Sequence, residues 1–219
     1  MFKSLLHLVF PKICFVCASP LHQNEKHLCL ACERNLPISG FPPSYNNPTA
    51  KVFRFRPQIS WGYSLMEFYS GGFSQKVLHA LKYQNARDIV EPLLKPIDFS
   101  PVFETYGKPN AIIPVPLHPK KLALRGYNQA QEIAVRLAEK IQVDCALGII
   151  ERTHYNKSQT HRNRLKRHMA GKQLFQLRND PPKKLLIVDD VLTTGATLNS
   201  LMDCLPKSCE ISVFTLARA

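Results

Sequence analysis

The stretch that decides the fold is Lys-Leu-Leu-Ile-Val-Asp-Asp-Val-Leu-Thr-Thr-Gly-Ala-Thr-Leu, at positions 184–198. It contains a continuous apolar run, Leu185 to Val188, which is typical of a strand buried on both faces in a parallel sheet. Asp189 and Asp190 follow where we expect that strand to end. Beyond a hydroxyl-rich turn, apolar residues recur at helical spacing, at Leu198, Leu201, Met202 and Leu205. The sequence therefore predicts a strand, a tight turn and a helix.

A turn between a strand and a helix is suited to bind an anion. The first backbone N–H groups of a helix have no intrahelical acceptor, and the helix dipole favours negative charge there. Gly195 allows close approach of the backbone to a phosphate, while the carboxylates can accept hydrogen bonds from sugar hydroxyls or hold Mg²⁺. A ribose 5-phosphate offers both a phosphate and two hydroxyls. We therefore expect a site for it at Asp189, Asp190, Thr193, Thr194, Gly195, Ala196 and Thr197.

The stretch also allows three other interpretations. Phosphoacceptor receiver domains also place two carboxylates after an apolar strand, but most of such a domain follows the pair, whereas this sequence has room for one helix and one strand. An ATP-type P-loop needs a lysine after its last glycine, and none follows Gly195. The third is a capped helix after a strand, with a threonine as N-cap and the two carboxylates merely solvated.

The string from Ile187 to Thr197 resembles the phosphoribosyl pyrophosphate (PRPP) signature of type I phosphoribosyltransferases. The resemblance implies that Asp189 and Asp190 take the ribose 2′- and 3′-hydroxyls, that Thr193 to Thr197 cradle the 5-phosphate, and that Mg²⁺ accompanies PRPP.

Length and charge restrict the class of protein further. A chain of 219 residues can bury one core and a small appendage, and its net charge of +13 indicates an anionic partner. Between Glu151 and Lys184, ten lysines and arginines face two acids. Met1 to Phe10 is predicted as a short amphipathic helix packing on the domain, with a signal peptide as the alternative. No segment is long and apolar enough for a membrane helix, so we expect a cytoplasmic protein without membrane insertion.

Four cysteines near the N-terminus lie in two Cys-x-x-Cys pairs, Cys14 with Cys17 and Cys29 with Cys32. Two such pairs at this separation match a tetrahedral four-thiolate zinc site. Two disulfides or a redox pair are the alternatives, and neither suits a cytosolic chain. Four protein ligands leave no open position, so the predicted zinc is structural.

Further elements follow from apolar periodicity. Strands are predicted at 60–69, where a hairpin is the alternative, and at 111–116 and 147–150. Helices are predicted at 73–83 and at 87–94, and the second is expected to break at Pro92. An edge segment is predicted at 51–55 and a turn at 117–124. A long helix opens at Arg125 to Gln129 and buries Ala130, Ile133, Ala134, Leu137, Ala138 and Ile141. This alternation predicts an α/β fold with a parallel sheet and helices on both faces.

The ordered pieces resemble the ComF family of competence-associated, phosphoribosyltransferase-like proteins across nearly the full chain. They are the cysteine pairs, Leu81-Lys82-Tyr83, Pro114-Val115-Pro116-Leu117, Arg125-Gly126-Tyr127-Asn128-Gln129 and the terminal signature. The resemblance implies a type I phosphoribosyltransferase-like fold with a zinc module, and a role in DNA uptake and natural transformation beside other competence proteins. We expect the zinc module at 1–40, a linker and hood-like segment at 41–110, and the core at 111–219. The chain departs from the family at Ala170, which stands near a usual asparagine.

The basic segment from Thr153 to Gly171 has no clean periodicity. It matches the loop that closes over PRPP in phosphoribosyltransferases, where arginine and lysine neutralise pyrophosphate. The expected pyrophosphate or loop residues are Lys82, Arg125, Arg162, Arg164 and Arg167. The same cluster could grip single-stranded DNA, with Tyr155 stacking on a base, or be a solvated loop.

Two functions follow, with nucleotide salvage as a weaker third. One is a PRPP-binding competence protein that contacts single-stranded DNA. The other is an active phosphoribosyltransferase, although no motif supplies a general base and the acceptor is not predicted.

Overall fold

The computed structural model describes residues 12–153 and 174–219. Its centre is a five-stranded sheet in which every neighbouring pair is parallel. The strands are β1 (Ile59–Glu67), β2 (Ala111–Pro114), β3 (Asp144–Cys145), β6 (Lys184–Leu192) and β7 (Glu210–Arg218), in the order β1-β7-β6-β2-β3. The remaining two, β4 (Ile150–Arg152) and β5 (Phe175–Leu177), pair as a separate antiparallel ribbon.

Helices cover both faces of this sheet. Successive residues of β6 enter two different hydrophobic clusters, with Leu186 and Val188 in one and Leu185 and Ile187 in the other. Because side chains alternate along a strand, both faces of β6 are buried, as a parallel sheet requires. The helices are α1 (Leu30–Arg34), α2 (Pro48–Lys51), α3 (Phe73–Tyr83), α4 (Val90–Leu94), α5 (Ser100–Tyr106), α6 (Pro119–Arg125), α7 (Gln129–Ile141) and α8 (Ala196–Met202), with a 3₁₀ turn at Arg87–Ile89.

The elements with strong periodicity match their predictions. Helix α3 has the predicted bounds, the buried strand at 185–188 lies inside β6, and all six stripe residues of α7 are buried. Helix α7 begins at Gln129, and the side chain of the preceding N-cap residue, Asn128, accepts a hydrogen bond from the amide of Ala130. The predicted fold class, a parallel α/β sheet with helices on both faces and a small four-cysteine module, is confirmed.

Four local predictions are wrong. Residues 51–55 form no edge segment, because Asn47 caps a helix that starts at Pro48. Residues 117–124 include helix α6, capped by His118. The predicted strand at 147–150 lies mostly before β4, which joins the antiparallel ribbon, and β3 takes the place in the sheet. Pro92 does not break the helix at 90–94, because it lies in the first turn, where its missing N–H costs no hydrogen bond.

The three-part division at 1–40, 41–110 and 111–219 stays a prediction, and the sheet joins strands from its second and third parts. The predicted N-terminal helix, 1–10, lies outside the described residues, as does the basic segment from 154 onward with Arg162, Arg164, Arg167 and Ala170. Among the helices of the described ranges, none has both the length and the apolar character to span a bilayer.

Candidate functional site

The two carboxylates of the signature lie on β6, between β7 and β2. The strand does not end before them as predicted, because Asp189 still pairs with Thr215 and Val191 with Ala217 of β7. The turn 193–195 then leads directly into α8. Asp189 and Asp190 are thereby fixed by a central strand of the sheet, close to its carboxyl end, where parallel α/β proteins bind their ligands.

Gly195 is required at the turn for two separate reasons. Its φ of 73° is left-handed, which disfavours residues with a Cβ. A Cβ there would also lie 2.6 Å from Cγ1 of Val52 and 3.0 Å from Cε1 of Phe53. The segment after α2 thus fixes the position of the turn, while Thr193 and Thr194 remain exposed to solvent.

Asp190 forms an ion pair with Lys82, a residue from a distant part of the sequence. Nζ of Lys82 lies 2.9 Å from Oδ2 of Asp190, and the two side chains are 20% and 12% exposed. Lys82 stands in the last turn of α3. The contact brings one predicted pyrophosphate residue to the carboxylate pair.

Asp189 differs electrostatically from its neighbour. Burial, followed by the nearby charge of Asp190, raises the pKa of Asp189 to about 8. The amide of Asp190 donates a hydrogen bond of 2.9 Å to Oδ1 of Asp189, and Lys82 and Arg152 oppose the shift. Asp189 therefore keeps its proton to a higher pH than an ordinary aspartate does.

Two cations near the pair have no role in the sequence prediction. Burial, with the charges of Arg152, Arg125 and Lys82, lowers the pKa of Lys121. Burial also lowers the pKa of the Arg152 guanidinium, which Asp189 partly offsets. These residues come from α6 and from the ribbon strand β4, and only the fold places them beside β6.

An open cleft of about 420 Å³ lies against Lys121 but not against Arg152. It is lined by Lys82, Tyr83, Asn85, Lys121, Leu124, Arg125 and Tyr127. The guanidinium of Arg125, another predicted site residue, lies 5.5 Å from the ring centre of Tyr83. Tyr127 contacts two other segments from this wall of the cleft. Its hydroxyl donates a hydrogen bond to the carbonyl of Leu81, and its ring centre lies 4.3 Å from the Arg87 guanidinium.

A second cleft, of about 290 Å³, shares Lys82 and Tyr83 with the first. Its other lining residues are Phe68, Gln75, Leu78, His79, Val191, Thr193 and Ala219. The larger cleft of about 490 Å³ between the cysteine module and α4 contains none of the predicted site residues.

The four N-terminal cysteines meet in space. The Sγ atoms of Cys14, Cys17, Cys29 and Cys32 all lie within 4.8 Å of one another, and those of Cys17 and Cys29 are 3.6 Å apart. Tetrahedral zinc with Zn–S bonds of about 2.3 Å separates its sulfur ligands by about 3.8 Å. Hydrogen bonds from Ser19 lower the pKa of Cys17 to about 6, whereas burial raises the pKa of Cys32, so Cys17 forms the metal-binding thiolate more readily than Cys32 does. The geometry of the cluster fits a zinc ion bound by four thiolates.

The cysteine module packs on the helices that precede β2. Cys14, Leu28 and Cys29 belong to the same buried cluster as residues of α3 and α4. Nζ of Lys76 donates to the carbonyl of Val16 at 2.6 Å, and Lys26 pairs with Asp88 at 2.9 Å. The module is therefore joined through Lys76 to α3, the helix that carries Lys82.

Sequence comparison finds relatives along nearly the whole chain. Competence protein F of Haemophilus influenzae is 28% identical over 94% of this chain and 96% of its own length. Competence protein ComFC of Bacillus subtilis is 26% identical over 95% of this chain and 85% of its own. The resemblance to the ComF family is confirmed. The DNA utilization protein YhgH of Escherichia coli K12, at 24% identity over 96% of this chain and 99% of its own, is similar as well.

No family model matches the chain. Among solved structures, a purine phosphoribosyltransferase from Pyrococcus horikoshii Ot3 aligns with a TM-score of 0.33 and 20% identity, over 54% of this chain and 76% of that one.

Proposed function

We propose that this protein is a ComF-type competence protein that binds PRPP or a related ribose phosphate and acts in DNA uptake. The ribose 2′- and 3′-hydroxyls bind at Asp189 and Asp190, and the 5-phosphate at Thr193, Thr194, Gly195, Ala196 and Thr197. The role in DNA uptake rests on the relatives named competence proteins, which align over more than nine tenths of this chain.

One observation supports the ligand above the others. Two adjacent carboxylates on a central strand lie beside several cations and directly before a turn that requires glycine. Ribose hydroxyls are neutral donors that suit the carboxylates, while the phosphate groups of the same ligand suit the cations and the turn. Mg²⁺ bound with PRPP would screen its charge, with Asp189 and Asp190 as the oxygen ligands at hand.

Single-stranded DNA is the second ligand of the proposal. The segment 153–171, with Arg162, Arg164 and Arg167, supplies the positive charge that such a strand requires. The four-thiolate cluster supports a structural zinc and a reducing compartment, because thiols at these positions would otherwise form disulfides. A cytoplasmic location and contact with other competence proteins belong to the same proposal.

An active phosphoribosyltransferase in nucleotide metabolism or salvage is the alternative. It needs an acceptor nucleophile close to the ribose, and a cleft lined by Val191 and Thr193 adjoins the proposed sugar site. Release of pyrophosphate from PRPP in the presence of candidate nucleobases would favour this alternative.

Calorimetric titration with PRPP and Mg²⁺ tests the ligand. Asp189→Asn/Asp190→Asn is expected to weaken binding at least tenfold, because each amide offers a ribose hydroxyl one neutral acceptor oxygen in place of the two oxygens of a carboxylate. The control is Asp144→Asn/Asp180→Asn, which removes two exposed carboxylates and should bind as the unaltered protein does. Absence of binding to the unaltered protein, or equal binding by both variants, would refute the ligand assignment.

Anisotropy of a labelled oligonucleotide tests the second ligand. Binding to single-stranded DNA should weaken steeply with salt, and Arg162→Gln/Arg164→Gln/Arg167→Gln should reduce the slope of log affinity against log salt by roughly 2. If the triple variant leaves the slope unchanged, these three arginines do not contact the DNA.

A further inference from the structure

The segment between α2 and β1 presents an exposed aromatic ring next to a cation. Phe55 has the largest exposed fraction, 85%, of the large hydrophobic side chains in the described parts of the chain. The guanidinium of Arg54 lies 4.7 Å from the centre of its ring. A single exposed ring is common on protein surfaces, so the surroundings of Phe55 decide whether it has a use.

Phe55 stands at a groove of about 480 Å³ along α8. Phe53, Phe55 and Pro57 form apolar parts of its wall, and Lys207 lines it as well. Among the residues that the structure describes, none of those lining the groove is acidic. The groove shares no lining residue with the two clefts at the carboxylate site. It is therefore a separate surface, which combines aromatic and apolar side chains with positive charge.

The cations around the groove have no acidic partners. Lys51, Arg54 and Lys207 are exposed, and within residues 12–153 and 174–219 none of the three forms an ion pair. Lys51 is close to Arg54, because its carbonyl accepts a hydrogen bond of 3.3 Å from the Arg54 amide. Three positive charges are thus available to an anionic partner beside the ring.

The fold holds the segment that carries the ring in place. Nη2 of Arg56 lies 2.6 Å from Oδ1 of Asp203 and donates to the carbonyl of Asn199 in α8 at 2.9 Å. Nε2 of Gln58 donates to the carbonyl of Pro206, beyond the end of α8, at 2.8 Å. The ring and the groove are therefore preformed, so a ligand does not have to order this backbone when it binds.

We propose that this groove binds a single strand of DNA, with a base stacked on Phe55 and backbone phosphates at Lys51, Arg54 and Lys207. Proteins that bind single strands combine a positively charged groove with aromatic side chains on which bases stack. A duplex keeps its base faces inside the stack, so only an unpaired strand can offer one to the ring. An acidic peptide would match the cations but would leave the aromatic ring without a role.

The inference rests on the DNA contact of the proposed function and adds a second surface to it. It requires nothing from the basic segment 153–171, so the two contacts can be tested apart.

Anisotropy of labelled oligothymidine tests the stacking contact in the full chain. Phe55→Leu should weaken binding about fivefold or more, because the side chain stays apolar but loses its ring, whereas Phe55→Trp should keep the affinity. The matched control is Tyr69→Leu, a 67% exposed aromatic residue that follows β1, whereas Phe55 precedes that strand. The control should bind as the unaltered protein does, and Phe55→Leu should keep the Tm because the ring is exposed.

An abasic strand of the same length separates stacking from charge. It carries the phosphates without bases, so the unaltered protein and Phe55→Leu should bind it equally. The indole introduced by Phe55→Trp gives a direct signal, since oligothymidine should quench its emission and the abasic strand should not. Trp61 is 1% exposed and should not respond.

Salt dependence tests the cations. Lys51→Gln/Lys207→Gln should reduce the slope of log affinity against log salt by roughly 1.4, because two phosphate contacts are lost. The control is Lys140→Gln, an exposed lysine on α7, whose apolar residues belong mainly to the other hydrophobic cluster from those of α8. Its slope should equal that of the unaltered protein.

Equal affinity of Phe55→Leu and the unaltered protein for oligothymidine would overturn the groove as a DNA site and leave this surface to a protein partner or to none. If Phe55→Leu binds equally but Arg162→Gln/Arg164→Gln/Arg167→Gln binds more weakly, the groove fails and the contact of the basic segment stands. The reverse result leaves the groove standing and removes the contact of that segment. If the unaltered protein binds no oligonucleotide, both fail.

Discussion

The cysteine module and the carboxylate site are assembled in different ways. The module takes its four sulfur atoms from residues 14–32, so one short segment determines its geometry. The site takes its charged groups from α3, α6, β4 and β6, which the fold brings together from residues 82–190. A local site can be recognised from spacing alone, whereas a dispersed site is visible in sequence only where one of its parts is a contiguous motif.

Loss of a zinc ligand should have the largest effect and should separate the two regions. Cys14→Ser is expected to abolish zinc binding and to cost about 3 kcal/mol or more of unfolding free energy, because metal binding and folding of such a module are coupled. Metal analysis and urea unfolding measure both quantities. Affinity for PRPP should change less than twofold, since no cysteine of the module lines the two clefts at the carboxylate site.

The control is Cys204→Ser, whose Sγ donates to the carbonyl of Leu201 in α8 and which should retain zinc. A Cys14→Ser protein that keeps its metal would contradict the zinc site. A Cys14→Ser protein that loses PRPP binding while folded would show that the cysteine module and the carboxylate site are not independent.

Gly195→Ala should disrupt the carboxylate site by shifting the backbone of the turn at 193–195. The left-handed φ and the contact with Val52 together predict a loss of about 2 kcal/mol of unfolding free energy. PRPP affinity should fall at least tenfold, because the turn must shift. Gly40→Ala, where an added Cβ meets nothing within 4 Å, should cost under about 0.5 kcal/mol.

The ion pair between Lys82 and Asp190 should contribute somewhat less. Lys82→Met leaves Asp190 partly buried without a partner and should cost about 1–2 kcal/mol, below the value for a fully buried pair because both groups keep some exposure. Adding Asp190→Asn should recover part of that loss. Urea unfolding of the single and double variants gives the coupling free energy.

The exposed pair of Lys26 and Asp88 provides the comparison. Its side chains are 71% and 44% exposed, so Lys26→Met should cost under about 1 kcal/mol. If Lys82→Met and Lys26→Met lower the unfolding free energy equally, the partial burial of Asp190 does not strengthen its ion pair.

Asp189→Asn should change the stability with the opposite sign. Folding raises the pKa of Asp189 from 3.8 to about 8, so between these values the folded state binds more protons than the unfolded state. Stability therefore falls as pH rises through this range, and an asparagine avoids that loss. The variant should raise the Tm by about 5 degrees or more at pH 8 and leave it unchanged at pH 3.5. Asp180→Asn, an exposed replacement, should show no such pH dependence.

Periodicity was sufficient for the elements that are buried along a continuous face. Helix α3, the stripe of α7 and the buried run of β6 follow directly from apolar spacing. The short helices at Pro48 and Pro119 were missed although each has a capping residue followed by proline, a signal that the sequence did contain.

Other features depend on distant partners and leave no local signal. Strand β4 pairs with β5, some 25 residues further on, so apolar content at 147–150 could not reveal the antiparallel ribbon. Lys121 and Arg152 look like ordinary members of basic stretches until α6 and β4 place them near the carboxylates. Lys82 was predicted only because a family resemblance singled it out.

A crystal structure of the protein grown with PRPP and Mg²⁺ would show directly where the ligand binds. We expect hydrogen bonds from the ribose hydroxyls to Asp189 and Asp190, the 5-phosphate within the turn 193–197, and Lys82 withdrawn from Asp190 towards a phosphate. Density for PRPP at another place, with the pair of Lys82 and Asp190 intact, would contradict it.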